Sequence, residues 1–227
     1  MGCDIHMYAE VKRCERWETV GHVFDFGWNN PNQATVMLYF GSENNNAYEF
    51  NRQRTMEVFD RRDYRLFTIL AGVRRVEHIT PISEPRGLPE DVSEWIRNES
   101  NRWGVDGHSH SWLTLEELKS YPWDEPIPEF GWVSLEEYRK YKLTGRPTVW
   151  SAGVGGGNVV HVSNEEMDKF LVDGPPDEDK SYYTQIMWFW PSSEACRYFY
   201  RRSLPQLEKL LQWEDVDDVR TVFWFDN

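Results

Sequence analysis

Acidic and histidine side chains occur together in two short stretches of this sequence. The chain begins M-G-C-D-I-H, with Asp4 and His6 two residues apart, and D-G-H-S-H-S-W later supplies Asp106, His108 and His110. Alternate side chains of an extended chain lie on one side, so each set is expected to share a face. Carboxylate and imidazole ligands suit Zn, Mn or Fe(II), which lower the pKa of a bound water. The two stretches therefore predict one divalent metal site built from all five residues.

Proton transfer is the second kind of chemistry that these stretches could support. Glu10 lies on the same predicted strand face as His6 and could act as a general base beside a metal-bound water. Without a metal, His6 or His108 oriented by an aspartate could serve as acid and base in nucleotide or ester hydrolysis. We therefore predict Glu10, His6 and His108 as catalytic residues.

Two other interpretations of the same residues remain open. Cys3 and His6 could join His108 and His110 in a closed structural zinc site, although strand alternation places Cys3 opposite His6. Cys3 is then expected to lie in the core as a small apolar residue. Alternatively, Asp106-Gly107 forms a turn, and the neighbouring serine and histidine side chains bond to local backbone.

Candidate ligand contacts lie elsewhere in the chain. Arg62 and Arg86 could hold an anion, since guanidinium groups match phosphate and Arg86 lies in a stiff R-G-L-P turn. Trp112, which closes the D-G-H-S-H-S-W motif, is a third substrate-binding candidate. The glycine-rich G-V-G-G-G-N at 153–158 lacks the Lys-Ser/Thr of a phosphate-binding loop, which favours a flexible hairpin or a loop beside a substrate.

Composition excludes several classes of function. The net charge is −13, so an extended nucleic acid is not an expected partner; the short basic clusters at 61–65 and 201–202 could hold one or a few phosphates. No apolar run reaches the roughly 20 residues that span a bilayer, and no signal peptide is expected. Three cysteines suit a reducing cytosol. No motif indicates nicotinamide, flavin or haem.

Hydrophobic periodicity predicts one α+β domain over residues 1–227, with a mostly antiparallel mixed sheet and several irregular helices. Strands are predicted at 3–12, 17–26, 35–40, 159–162, 183–190 and 219–225. Helices are predicted at 56–73, 90–102, 114–121, 134–145 and 192–212, the last broken or kinked at Pro205, and another is expected to begin at Ser163. Long loops are expected at about 41–55, 122–132 and 173–181.

Several motifs together resemble a family of uncharacterised bacteriophage and prophage proteins. They are the opening M-G-C-D-I-H, R-x-Y-x-L-F with L-A-G-V-R, P-R-G-L-P-x-D, D-G-H-S-H-S-W-L-T-L-x-E-L and the closing V-F-W-F-D-N. The resemblance spans the chain except for roughly 122–180. It implies a phage or prophage product in the bacterial cytoplasm, accessory to replication or to evasion of host defence. It supplies no catalytic residues.

Three functions remain as hypotheses. The first is a hydrolase, metal-assisted in our preferred form, that acts on a phosphoester or nucleotide-like small substrate in a phage-infected bacterium. The second is a non-catalytic protein that binds a nucleotide to counter host defence. The third is an acidic inhibitor that docks on a basic host protein. Acid–histidine clusters favour the first, with a small-molecule or nucleotide ligand and no membrane partner.

Overall fold

A computed structural model describes residues 2–22, 38–40 and 57–227. Helices combine with antiparallel and mixed sheets, so the fold class is α+β, as predicted. The chain forms two compact units, Met1–Trp123 with Ser193–Asn227, and Asp124–Ser192. The single domain expected over 1–227 stays a prediction. Among the described residues, no helix combines the length and the apolar character needed to cross a membrane.

The described residues form strands and mostly short helices. The strands are β1 (Asp4–Arg13), β2 (Arg16–His22), β3 (Leu38–Phe40), β4 (His108–Thr114), β5 (Pro126–Ser134), β6 (Val159–His161), β7 (Ser181–Pro191) and β8 (Asp218–Asp226). The helices are α1 (Tyr64–Ala71), α2 (Glu94–Trp103), α3 (Leu115–Ser120), α4 (Leu135–Thr144), α5 (Asn164–Asp173), α6 (Ser192–Ala195), a π-helix (Phe199–Ser203) and α7 (Leu204–Leu210).

The first unit is built on an antiparallel sheet in the order β3-β2-β1-β8-β4. One face of β1 carries the buried Ile5 and Met7, and Cys3, which directly precedes the strand, is also buried. Phe67 of α1 packs edge-on against Phe225 of β8 on this side. Cys3 therefore lies in the core, as expected. Helix α2 covers the other face, where Tyr8 joins a buried apolar cluster. Because both faces are covered, β1 is more buried than the half-buried strand that its alternation indicates.

The second unit pairs a mixed sheet in the order β5-β7-β6 with α4 and α5. Strand β7 alternates cleanly: its even-numbered residues from Tyr182 to Trp188 are buried, and the residues between them are largely exposed. Trp188 and Ile186 pack with Tyr138 of α4 and Met167 of α5, which forms a separate core. Both helices begin with the serine caps that the sequence indicates, because Ser134 and Ser163 accept backbone N–H groups three residues on.

Three predicted elements differ from the structure. The helix expected at 56–73 is shorter, because Phe59 pairs with Met7 of β1 and the helix begins only after the Asp63 cap. The loop expected at 122–132 is strand β5 from Pro126 onward, since its apolar residues pair with β7. The helix expected at 192–212 divides into α6, the π-helix and α7, with Pro205 in the first turn of α7.

The other predicted loops have different outcomes. Residues 174–180 form neither helix nor strand, as expected for the loop at 173–181. The loop expected at 41–55 lies outside the described residues, as do 23–26 and 35–37 of two predicted strands. The glycine-rich segment at 153–158 ends in a turn that leads to β6. In this turn the Val159 N–H donates to the Gly156 carbonyl at 3.1 Å.

Candidate functional site

The two acid–histidine stretches lie on strands separated by a single strand. Strand β8 runs between β1 and β4, pairing His6 with Trp224 and His108 with Phe225. Because neighbouring residues of a strand point to opposite faces, Trp224 and Phe225 mark the two sides of the sheet. The stretches are therefore brought close in space, but their histidines need not share a side.

A β-bulge divides the predicted D-x-H-x-H set. The pairing of β4 with β8 shifts register between His108 and Ser111, and Ser109 has a positive φ of 52°. The ring of His108 consequently stacks on Phe225, with centroids 6.2 Å apart, whereas His110 stacks on Trp224 at 5.7 Å. The prediction that both histidines point one way is wrong, because the extra residue reverses the alternation.

The predicted acidic ligands are also placed apart from one another. Asp4 forms a two-point ion pair with Arg62, at 2.9 and 2.6 Å, and Asp106 lies exposed in the turn between α2 and β4. Over residues 2–22, 38–40 and 57–227, no three His, Cys, Asp or Glu side chains are grouped so that they could hold a metal. The five predicted ligands thus do not form one site, and the divalent metal stays a prediction.

The structure surrounds His6 with two carboxylates. Its Nδ1 lies 2.6 Å from Glu57 Oε1, and its Nε2 lies 3.4 Å from Asp226 Oδ2. The ring of Trp103, the last residue of α2, lies over the imidazole with centroids 3.9 Å apart. Tyr8 adds a hydroxyl that donates to Glu57 Oε1 at 3.4 Å. We call these five residues the His6 centre.

Strand pairing explains how the His6 centre forms. The first half of β1 has β8 on one side, and on the other side the Val58 N–H donates to the Met7 carbonyl at 2.6 Å. Glu57 is therefore held next to the strand that carries His6. The side chains of His6, Glu57 and Asp226 are 13%, 18% and 20% exposed, so solvent reaches a centre that is otherwise mostly enclosed.

The two contacts of His6 are unequal in strength. A 2.6 Å separation is a short, charge-assisted hydrogen bond in which Nδ1–H donates to Glu57, whereas 3.4 Å lies beyond the normal range. Burial opposes protonation of the ring, but the hydrogen bonds and charges of Glu57 and Asp226 outweigh it and raise the pKa of His6 above its ordinary value. His6 is thus oriented through Nδ1, while Nε2 is the nitrogen able to exchange a proton with a ligand.

His110 lies on the same side of the sheet as His6 but has the opposite electrostatic character. Its Nε2 lies 2.8 Å from the hydroxyl oxygen of Ser100, which is buried on α2. Burial, and then the charge of His108, lowers the pKa of His110. A Cβ atom at Gly107 would lie 3.0 Å from Trp103 Cβ, so glycine permits the close approach of this turn to α2.

His108, predicted as catalytic, occupies the opposite side of the sheet. Its Nδ1 lies 3.0 Å from Ser109 Oγ, and its Nε2 is buried without a hydrogen-bond partner among the described residues. This contact joins two side chains, so it is not the bonding to local backbone that the structural interpretation of the motif predicts. His108 therefore does not share in proton transfer at the His6 centre.

Glu10 occupies a buried ion pair instead of a catalytic position. Its Oε2 accepts from Arg220 Nε at 2.7 Å, and its Oε1 accepts from the Ser93 N–H at 2.7 Å. The Glu10 and Arg220 side chains are 0% and 3% exposed. A carboxylate with both oxygens bonded and no solvent access does not suit the general base predicted for Glu10.

The three predicted substrate contacts have different environments. Arg86 forms a two-point ion pair with Glu117, at 3.0 and 2.5 Å, and donates to the Trp112 carbonyl at 3.3 Å. Arg86 thus holds its loop to half-buried Trp112 of β4 and to Glu117 of α3, because both terminal guanidinium nitrogens are engaged internally. Arg62 is 50% exposed beside Asp4 and remains accessible to an anion near the His6 centre.

Glu57, Asp226 and Trp103 were absent from the sequence-based site. A signal existed for Asp226, since the alternation of V-F-W-F-D places it on the same face as Trp224. None existed for Glu57, because the spacing of 56–73 predicts a helix that includes it. Trp103 is positioned by the end of α2, a tertiary feature without a local motif.

The opposite pKa shifts of the two histidines lead to a prediction about stability. The raised pKa of His6 contributes stability that is complete below about pH 6.5 and is lost as pH rises through the folded-state pKa. The lowered pKa of His110 costs stability as pH falls below about 6.5.

We expect His6→Gln to destabilise the protein more near pH 5.5 than near pH 9, in urea unfolding at a series of pH values. We expect His110→Gln to show the opposite trend, with its relative stability improving as pH falls. The exposed His78→Gln is a matched control. A difference between wild type and His6→Gln that does not change with pH would contradict the assigned protonation.

Comparison of the whole chain with protein-family models, with curated proteins and with solved structures finds no match in any of the three.

Proposed function

We propose that the protein is a hydrolase that cleaves a phosphoester or nucleotide-like small molecule by metal-independent acid–base chemistry at the His6 centre. The observation that carries this proposal is the Glu57–His6 contact of 2.6 Å, with Nε2 only loosely held by Asp226 at 3.4 Å. A carboxylate that fixes one imidazole nitrogen and leaves the other for the substrate is a recurring acid–base arrangement. The resemblance to phage proteins would place the reaction in an infected bacterium.

The proposed step balances with water as the only co-reactant. Protonated His6 donates its Nε2 proton to the leaving oxygen while the phosphorus–oxygen bond breaks. Water attacks phosphorus and forms the new bond, and the proton that it loses restores the imidazolium. Glu57 holds the ring through Nδ1 and stabilises its positive charge, as the raised pKa of His6 requires.

Two neighbouring groups suit an anionic substrate. Arg62, half exposed and paired with Asp4, could exchange part of that contact for a phosphate oxygen. Trp103 covers one side of the imidazole and limits access of water to the ring. These contacts support a small substrate, because the enclosed centre exposes only a fraction of each acid–base side chain.

The test is hydrolysis of nitrophenyl phosphate mono- and diesters and of nucleotides by untagged protein, with and without excess EDTA. We expect turnover that survives chelation, in protein whose elemental analysis shows no stoichiometric Zn, Mn or Fe. His161→Gln, in the other compact unit, is the matched control for a histidine substitution. Activity abolished by EDTA and restored by one of these ions would replace this proposal with the metal-assisted hydrolase, and no turnover of any phosphoester would reject both.

A further inference from the structure

Strand β7 has an open edge in the second unit, all of whose residues the structure describes. On one side, β5 pairs with Tyr183–Pro191, whereas on the other side β6 pairs only with Ser181–Tyr183. Among the described residues, no strand lies beside 184–190 on the side where β6 ends. An unpaired edge of this kind is a template for the addition of another strand.

Hydrogen bonds show which backbone groups face the open edge. On the β6 side, the Tyr183 carbonyl accepts a backbone N–H from just beyond β6 at 2.9 Å. Further along, the Met187 carbonyl accepts from the Tyr141 hydroxyl at 3.2 Å. Because the backbone groups of alternate strand residues point to the same side, those of Gln185 and Phe189 face this edge too. Their N–H groups therefore point to a side on which no described strand accepts them.

The open edge lacks the features that normally keep strand edges apart. Charged side chains, prolines and bulges perform this function in natural sheets. No charged residue occurs between Lys180 and Glu194, and 184–190 contains no proline. The pairing of this segment with β5 continues residue by residue without a bulge. The edge is thus competent to pair with a further strand.

The side chains along this edge restrict the composition of a partner strand. Met187 and Phe189 are 44% and 56% exposed on the outer face of the sheet, whereas Ile186 and Trp188 are buried against α4 and α5. An added strand extends both faces, so it needs apolar residues toward the helices and uncharged residues on the outer face. Strand β7 itself meets both requirements.

Charge also favours a second copy of the chain as the partner. Each copy carries a net charge of −13, so most contacts between two copies bring like charges together. The β7 edge instead brings together uncharged strand residues, and a twofold axis makes such a contact self-complementary. A charged foreign segment would find no opposite charge on β7, whereas an identical strand needs none.

We propose that β7 pairs with β7 of a second copy of this chain, antiparallel and centred on Met187. This register places Met187 opposite its own counterpart and Gln185 opposite Phe189, which joins two three-stranded sheets into one. The Met187 carbonyl can accept a second hydrogen bond, since a carbonyl oxygen has two lone pairs. The assembly goes beyond the proposed hydrolase and does not depend on the His6 centre.

The experiment is sedimentation equilibrium of the full chain, with wild type beside Met187→Lys and Met187→Glu. We expect wild type to form a dimer. Each variant alone should raise the Kd of the dimer by about tenfold or more, because position 187 meets itself and like charges then face each other. An equimolar mixture of the two variants should dimerise more tightly than either variant alone, since opposite charges then meet.

Phe130→Lys is the matched control for an added charge. Phe130 is 45% exposed and lies directly opposite Met187 on the same face of the sheet, but on β5, away from the open edge. This variant should dimerise like wild type, whereas face-to-face stacking of the two outer surfaces would make it as disruptive as Met187→Lys. His6→Gln should also dimerise like wild type, so failure of the hydrolase proposal leaves this result unchanged.

Four results, in variants whose fold circular dichroism verifies, would overturn the proposal. The first is a wild-type protein that stays monomeric at millimolar concentration. The second is a dimer that both Met187 variants retain, and the third is a dimer that Phe130→Lys loses equally. The fourth is a mixture of Met187→Lys and Met187→Glu that associates no better than either alone, because position 187 would then not meet its own counterpart.

Discussion

The His6→Gln protein is expected to hydrolyse phosphoesters about 10²- to 10⁴-fold more slowly than wild type, the range typical of losing a positioned acid–base group. Glutamine keeps a polar side chain that can bond to Glu57, but it cannot transfer a proton. The loss should appear mainly in kcat, because the imidazole acts in the transition state more than in substrate binding. Initial rates measured on the best substrate of the phosphoester panel check this.

Glu57 should act as a positioning residue in the same reaction. We expect Glu57→Gln to retain substrate KM, to lower kcat and to shift the pH profile to lower pH, because loss of the carboxylate lowers the pKa of His6. A purely structural role for Glu57 would change stability without moving the profile. Wild-type rates in a folded His6→Gln protein would rule out His6 as the catalytic group.

Removal of Glu10 should have the largest effect on stability. Glu10→Ala is expected to lower the free energy of unfolding by about 3–5 kcal/mol, since it leaves the Arg220 guanidinium buried and without its main partner. The loss arises from the uncompensated charge more than from the value of the pair itself. Urea unfolding monitored by tryptophan fluorescence and by circular dichroism measures it.

A double substitution separates the cost of the uncompensated buried charge from the stabilisation that the Glu10–Arg220 pair itself provides. Arg220 also donates to Asp91 Oδ1 at 2.8 Å and lies 4.0 Å from the centroid of the Trp17 ring, so its aliphatic and planar parts are already packed. We expect Glu10→Leu with Arg220→Met to be less destabilised than either single substitution, because apolar replacement removes both buried charges.

Asp91 provides a control for the comparison of the Glu10 and Arg220 single and double variants. Its side chain is 65% exposed, so Asp91→Asn should cost about 1 kcal/mol or less even though it contacts the same arginine. A Glu10→Ala variant that loses less than about 1 kcal/mol would show that the interior around Arg220 is more hydrated than its 3% exposure indicates.

Local patterns were sufficient to predict several elements of the fold. Alternation in residues 3–12 predicted β1 and the inward position of Cys3, and serines at 134 and 163 marked the start of α4 and α5. These features depend on neighbours within a few residues along the chain. For the same reason, the α+β class could be predicted from the order of such elements.

Local patterns were insufficient where tertiary pairing competes with them. Helical spacing over 56–73 concealed the extended residues around Phe59, because pairing with Met7 of β1 outweighs the local preference. The proline-rich stretch before Phe130 resembled a loop, yet its apolar residues pair with β7. Neither partner strand can be identified from the segment itself.

Residue type and alternation along residues 3–12 were enough to place Asp4 and His6 on one face of the first strand, and the two short arginine clusters can be read directly from the chain. Which groups come into contact depends on the packing of distant segments. This packing placed Glu57 and Asp226 beside His6, turned His108 away through the bulge at Ser109, and enclosed Glu10 with Arg220. The reason is physical: side-chain type and alternation are local properties, whereas partners distant in sequence come together only when strands pair and a shared core is buried.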